Sequence, residues 1–191
     1  MKEALFAWIL SLLTLLAPNT PWRDTYAQTA EAFAVSAIEA PLFEGRRGVA
    51  RTAALYASVA WFEATLRPDA EGDCVTKAGA AIESVGGRCP EGATPRSFCA
   101  FQIGVTNLAG LGLTRDAIQS DILACTRAAN RMLRQSFQVC KGKPPSDRMA
   151  WYAAGGPTCG ERGVKESRHR MTKAAWLFGV APPPNAADRV D

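Results

Sequence analysis

The sequence predicts a mainly helical α+β domain, with a small irregular or β-containing loop region and disulfide cross-links. Three observations carry this. Apolar residues recur at helical spacing over most of the 191 residues. One long stretch, 69 to 98, loses that period and is rich in Gly, Pro and Cys. Six cysteines, at 74, 89, 99, 125, 140 and 159, form an even set inside the proposed domain.

The elements follow in order. Residues 4 to 17 form a charge-free apolar run behind Lys2, short for a bilayer-spanning helix. It reads as a signal peptide or as a hydrophobic N-terminal segment docked on the domain or anchored to a partner or membrane. Segment 1–20 is set apart on that basis, 21–180 is the domain, and 181–191, opening on a proline run, is an expected disordered tail. Trp22, Tyr26, Phe33 and Ile38 mark a helix that Pro41 ends. Val49, Ala53, Tyr56, Ala60 and Glu63 share one face of a helix from about Gly48 to Leu66, which Pro68 stops. Thr114 caps an amphipathic helix running to about Phe137. Ser146 opens a short helix ending at Gly155-Gly156. The last helix, about Glu161 to Phe178, turns Val164, Met171, Ala175 and Phe178 to one side, and Lys165, Arg168, Arg170 and Lys173 to a solvated basic face.

The net charge of +4 suits an anionic polymer and many other partners, and nothing in it implies nucleic acid. The chain has no Cys-x-x-Cys pair and a single histidine, His169, so neither a metal site nor another cofactor is expected. The even cysteine set suggests three disulfides and export to an oxidising compartment, periplasmic or cell-envelope. Fifteen pairings are open. The expected set is Cys74–Cys89, Cys125–Cys140 and Cys99–Cys159, each contributing about 2–4 kcal/mol.

Glu63 is the chemically informative residue. It follows Trp61 and Phe62, with no Lys or Arg before Arg67, so its carboxyl is a candidate general acid with a raised pKa. The run Glu63-Ala64-Thr65-Leu66-Arg67-Pro68-Asp69-Ala70 resembles the Glu-Ser-x-Phe-x-Pro-x-Ala pattern of soluble-type lytic transglycosylases. Cys99-Ala100-Phe101-Gln102 is similar to that family's Gly-Leu-Met-Gln. Trp151-Tyr152-Ala153-Ala154-Gly155 is similar to its Ala-Tyr-Asn-Ala-Gly. The three segments stand in the family's order across roughly residues 48 to 178, with Ala64, Cys99 and Ala153 as departures.

The resemblance implies a lysozyme-like fold and cleavage of the MurNAc-GlcNAc β-1,4 bond of peptidoglycan, leaving 1,6-anhydro ends. It implies that Glu63 is the acid and then the base. Phe101, Gln102 and Gly155 would line the sugar site, and Tyr152 would orient Glu63 or touch substrate. Animal-type lysozymes carry an aspartate where this chain has Ser97, which favours the single-glutamate route. Asp69 or Asp73 would be the second carboxylate of a hydrolase, and Asp73, Glu83 and Glu91 are loop residues available to the site. The alternatives are a lysozyme-type muramidase and a non-catalytic lysozyme-fold component of an envelope-spanning or phage virion assembly. Secretion, conjugation and phage machines are the expected partner settings besides the glycan.

Overall fold

The apolar run behind Lys2 folds as helix α1, Lys2–Leu16, in the computed structural model, which describes residues 2–45, 47–155 and 158–183. Leu5, Trp8, Ile9, Leu12 and Leu13 recur every three to four residues and bury one stripe. Each such large side chain contributes about 1.5–3 kcal/mol by leaving water. The stripe packs on α2, Tyr26–Glu39, and α3, Gly48–Ala64. The Trp8 indole N–H donates to the Ala181 carbonyl, tying the first helix to the far end of the last. Here the segment set apart in the sequence is a core helix. Among the described residues no helix is long and apolar enough to cross a membrane.

Helix α3 is buried on nearly every side from Gly48 to Ala60, with only Arg51 exposed, and forms the centre of the fold. A small antiparallel sheet follows, made of β1, Glu71–Gly72, β2, Ser97–Phe98, and β3, Ile103–Gly104, in that spatial order. Gly72 pairs with Ser97, and Ser97 with Gly104. Between β1 and β2 the irregular loop is pinned by the Cys74–Cys89 disulfide and by a bridge of Val75 with Thr94. Then come α4, Val105–Leu111, α5, Arg115–Ser120, and α6, Ile122–Val139. Short helix α7, Ala150–Ala154, and long α8, Glu161–Val180, complete the fold.

Three expectations need correction. The helix expected from Thr114 to Phe137 is two helices. Thr114 does cap α5, but Asp121 leaves helical geometry and its Oδ1 accepts the N–H groups of Leu123 and Ala124, starting α6 afresh. The inward face of α8 is Gly163, Ser167, Arg170, Ala174 and Leu177, about one residue's rotation from the expected stripe. Small side chains set that face because they let α8 lie close to its neighbours. Arg168 pairs with Asp147 at 2.8 Å and Arg170 is buried, so the basic face is partly engaged.

The third correction is the disulfide pairing. Cys74–Cys89 forms as expected, but the others are Cys99–Cys125 and Cys140–Cys159. Cys125 and Cys140 sit at opposite ends of α6, and fifteen residues of helix hold them roughly 22 Å apart. A disulfide needs Cα atoms within about 7 Å. The observed partners lie 6.4 and 5.9 Å apart. Three bridges and no free cysteine among the described residues suit an oxidising, exported location. Arg46, Gly156 and the tail from Pro184 onward, including most of the expected disordered segment, lie outside the described residues.

The closeness of α8 to α7 yields a test. A Cβ on Gly163 would overlap the Ala150 carbonyl and stand 3.0 Å from the Ala154 Cβ. Alanine raises helix propensity by about 1 kcal/mol, but a backbone carbonyl cannot rotate away from the new methyl. Gly163→Ala is expected to be net destabilising by about 1–3 kcal/mol, read as a lower melting temperature. An unchanged or higher value would show that the two helices stand further apart.

Candidate functional site

Glu63 lies in the last turn of α3, and the chain reverses just beyond it. Thr65 and Leu66 take left-handed backbone, with φ of 50° and 65°. Their N–H groups cap the helix on the carbonyls of Trp61 and Ala60 at 2.9 and 3.0 Å. Leu66 is fully buried, so the apolar side chain accompanies the turn into the core. The glutamate is left at the helix end, facing a cleft of about 980 Å³.

The opposite wall comes from the turn joining β2 to β3. Cys99 and Gln102 both have positive φ, 62° and 49°. Such geometry suits glycine, and a cysteine there costs of order 1 kcal/mol or more. The Cys99–Cys125 bridge fastens the turn to the first turn of α6. The Gln102 side chain folds back, accepting from Ser97 Oγ at 2.6 Å and donating to the Cys99 carbonyl at 3.1 Å. It occupies the space that a Cβ on Gly72 would need. The third wall is the end of α7, where Gly155 turns the chain at φ 60°.

Glu63, Phe101, Gln102, Tyr152 and Gly155, drawn from three separate segments, all border this one cleft. Their contributions differ. The Phe101 ring is 1% exposed and packs against Phe33 and Tyr56 at 5.5 and 6.0 Å, so it belongs to the core rather than to a sugar subsite. Its carbonyl accepts the Tyr152 hydroxyl at 2.6 Å. Tyr152 is therefore hydrogen-bonded to the Phe101 backbone and not to Glu63. Burial raises the Tyr152 pKa, and the nearby Glu63 charge raises it further, so the phenol stays neutral. Of the candidate second carboxylates only Asp73 borders the cleft. Asp69 is turned away, paired with Arg67 and Arg88. Glu83 and Glu91 are exposed elsewhere in the loop, and Ser97 is buried against Gln102.

Two residues of α8 are the unanticipated members. Arg170 Nε and Nη2 donate to Glu63 Oε1 at 3.1 and 2.9 Å. Its Nη1 donates to Glu166 Oε2 at 2.8 Å and to the Glu166 carbonyl at 3.0 Å. Side-chain exposure is 8% for Arg170 and 19% for Glu63, so the pair is largely withdrawn from water. The Phe62 ring lies 5.3 Å from the guanidinium, and Ser58 Oγ donates to the Arg170 carbonyl at 2.7 Å. The available signal was the row 163, 167, 170, 174 and 177, whose alternating spacing of four and three puts Arg170 on the inner face.

Burial lifts the Glu63 pKa above the ordinary carboxylate value. Arg170 pulls it down, by charge and by hydrogen bond, while Asp73 and Glu166 add to the rise. The arrangement is a half-dry carboxyl that holds a proton more readily than a surface glutamate. It can deliver that proton to an oxygen in the cleft. Among the described residues no group of three His, Cys, Asp or Glu side chains is placed to hold a metal ion. No family model, curated protein or solved structure matches this chain.

Proposed function

We propose that this chain is a lytic transglycosylase of lysozyme-like architecture that cuts peptidoglycan strands at the MurNAc-GlcNAc bond. The observation that carries the reading is the Glu63 carboxyl, largely withdrawn from water and with raised pKa, set in a cleft whose other walls are the Gln102 and Tyr152–Gly155 segments. Glu63 protonates the glycosidic oxygen as the anomeric C–O bond breaks, and becomes a carboxylate. It then takes the proton of the same sugar's 6-hydroxyl, whose oxygen closes on the anomeric carbon. The 1,6-anhydro ring forms without water, and Glu63 ends protonated as it began. Three disulfides suit the exported setting that this substrate requires.

A second reading rests on Asp73, which borders the cleft and whose charge Glu63 feels. With Asp73 as base or nucleophile the same cleft would hydrolyse the bond. Mass spectrometry of purified peptidoglycan after incubation separates the two. Wild-type products should end in 1,6-anhydro-muramic acid. Asp73→Asn, which keeps a residue tolerant of the positive φ at this position, should still give them, with the rate changed by less than about tenfold. Reducing ends, lost in Asp73→Asn, would establish the hydrolase. No products from the folded, oxidised protein would leave the non-catalytic binding or structural role.

A further inference from the structure

The proposed acid lacks the hydrogen-bonding neighbours that the motif resemblance implies, since Ala64 and Ala153 stand at the serine and asparagine positions. Among the described residues Arg170 is the one side chain hydrogen-bonded to Glu63. Both of its bonds end on Oε1, and no protein donor among the described residues reaches Oε2. A guanidinium given wholly to one carboxylate would hold that carboxylate ionised and spoil it as an acid. Here the third nitrogen is committed to Glu166, four residues back on the same helix.

We propose that Arg170 and Glu166 are paired positioning residues for Glu63: Arg170 fixes the carboxyl through Oε1 so that Oε2 carries the transferable proton, and Glu166 offsets the guanidinium charge so that the proton is held there at all. The inference rests on the transglycosylase reading for its role in bond cleavage, but the bracket itself does not. Arg170 is suited to the task because its fork is planar and its site rigid, with Phe62 on its face, Ser58 on its backbone and little exposed surface. The other titratable and charged groups around Glu63 are Tyr152 on α7, Asp73 after β1, Arg96 before β2 and Arg162 at the start of α8. Asp73 acts in the same direction as Glu166, and Tyr152 stays neutral.

Removing the Glu166 charge leaves Arg170 free to favour ionised Glu63, so the Glu63 proton should be lost at lower pH. Removing the Arg170 charge should have the opposite effect. The test is titration of the Glu63 carboxyl by carbon-13 NMR in the oxidised full chain, with its resonance assigned by its absence in Glu63→Gln. Glu166→Gln is expected to move the midpoint down, and Arg170→Met to move it up, each by about one pH unit. Arg170→Lys keeps the charge but not the fork. It should leave the midpoint near that of wild type while lowering kcat more than it changes KM. If Arg170→Met does not fold, Glu166→Gln and Arg170→Lys still decide.

A midpoint unmoved by Glu166→Gln, or shifts of the same sign for Glu166→Gln and Arg170→Met, would overturn the proposal. So would Arg170→Lys with wild-type kcat. The titration needs no turnover. A wild-type chain that cleaves nothing therefore defeats the enzyme reading while the bracket is judged on its own result.

Discussion

Glu63→Gln is expected to lower peptidoglycan cleavage by about 10²- to 10⁴-fold. That is about 2.7–5.4 kcal/mol of transition-state stabilisation. The fold should be unaffected. Glutamine keeps an Oε1 acceptor for Arg170, whose remaining nitrogen stays on Glu166, and it removes a charge that burial disfavours. Release of soluble glycan fragments measures the rate, and thermal melting measures the fold. In the wild type the acid works only while protonated, and burial raises its pKa. Cleavage should therefore persist above the ordinary glutamate range and fall as pH rises through the raised value. If Arg170 rather than burial dominated, the fall would begin below the ordinary value. A fully active Glu63→Gln protein would remove Glu63 from the chemistry.

Opening the Cys99–Cys125 bridge is expected to be the most damaging change outside the carboxyl. The bridge closes a loop of 26 residues, for which restriction of the unfolded chain is worth about 3.5 kcal/mol. In a chain of this size that is a melting point lower by about 7–14 °C. The same model gives the bridges of separation 15 and 19 similar values, about 3 kcal/mol each. Activity should tell the three apart, because Cys99 itself sits at positive φ in the wall that faces Glu63. The double variant Cys99→Ala with Cys125→Ala should lose both stability and rate. Cys99→Gly with Cys125→Ala should recover about 1 kcal/mol, since glycine adopts φ near 62° without strain. Equal melting points for the two double variants would show that the turn is not strained at this residue.

The sequence made the elements legible wherever apolar periodicity set them. The helix bearing Glu63, its stop near Pro68 and the irregular region after it all correspond to local signals. The clustering of Glu63, Gln102, Tyr152 and Gly155 was legible as three segments in a fixed order. The break at Asp121 does not show in the apolar pattern, because apolar residues continue on one face across it and an aspartate cap weighs little beside them. The Phe101 ring went to the core because Phe33 and Tyr56 enclose it, a fact of packing rather than of motif. The inner-face row marks Arg170 for burial, but no local rule names the residue it pairs with. Its partner lies 107 residues away, and an arginine among charged neighbours reads as solvated until the small residues Gly163 and Ser167 bring its helix inward.

The arrangement of the bridges has a consequence for how the chain is made. The pairs 74–89, 99–125 and 140–159 follow one another without interlacing or nesting. A chain that enters an oxidising compartment N-terminus first meets its cysteines already in order, each finding its partner before the next pair arrives. Vectorial delivery alone can then select one connectivity of the fifteen that a fully emerged, reduced chain would have to sort.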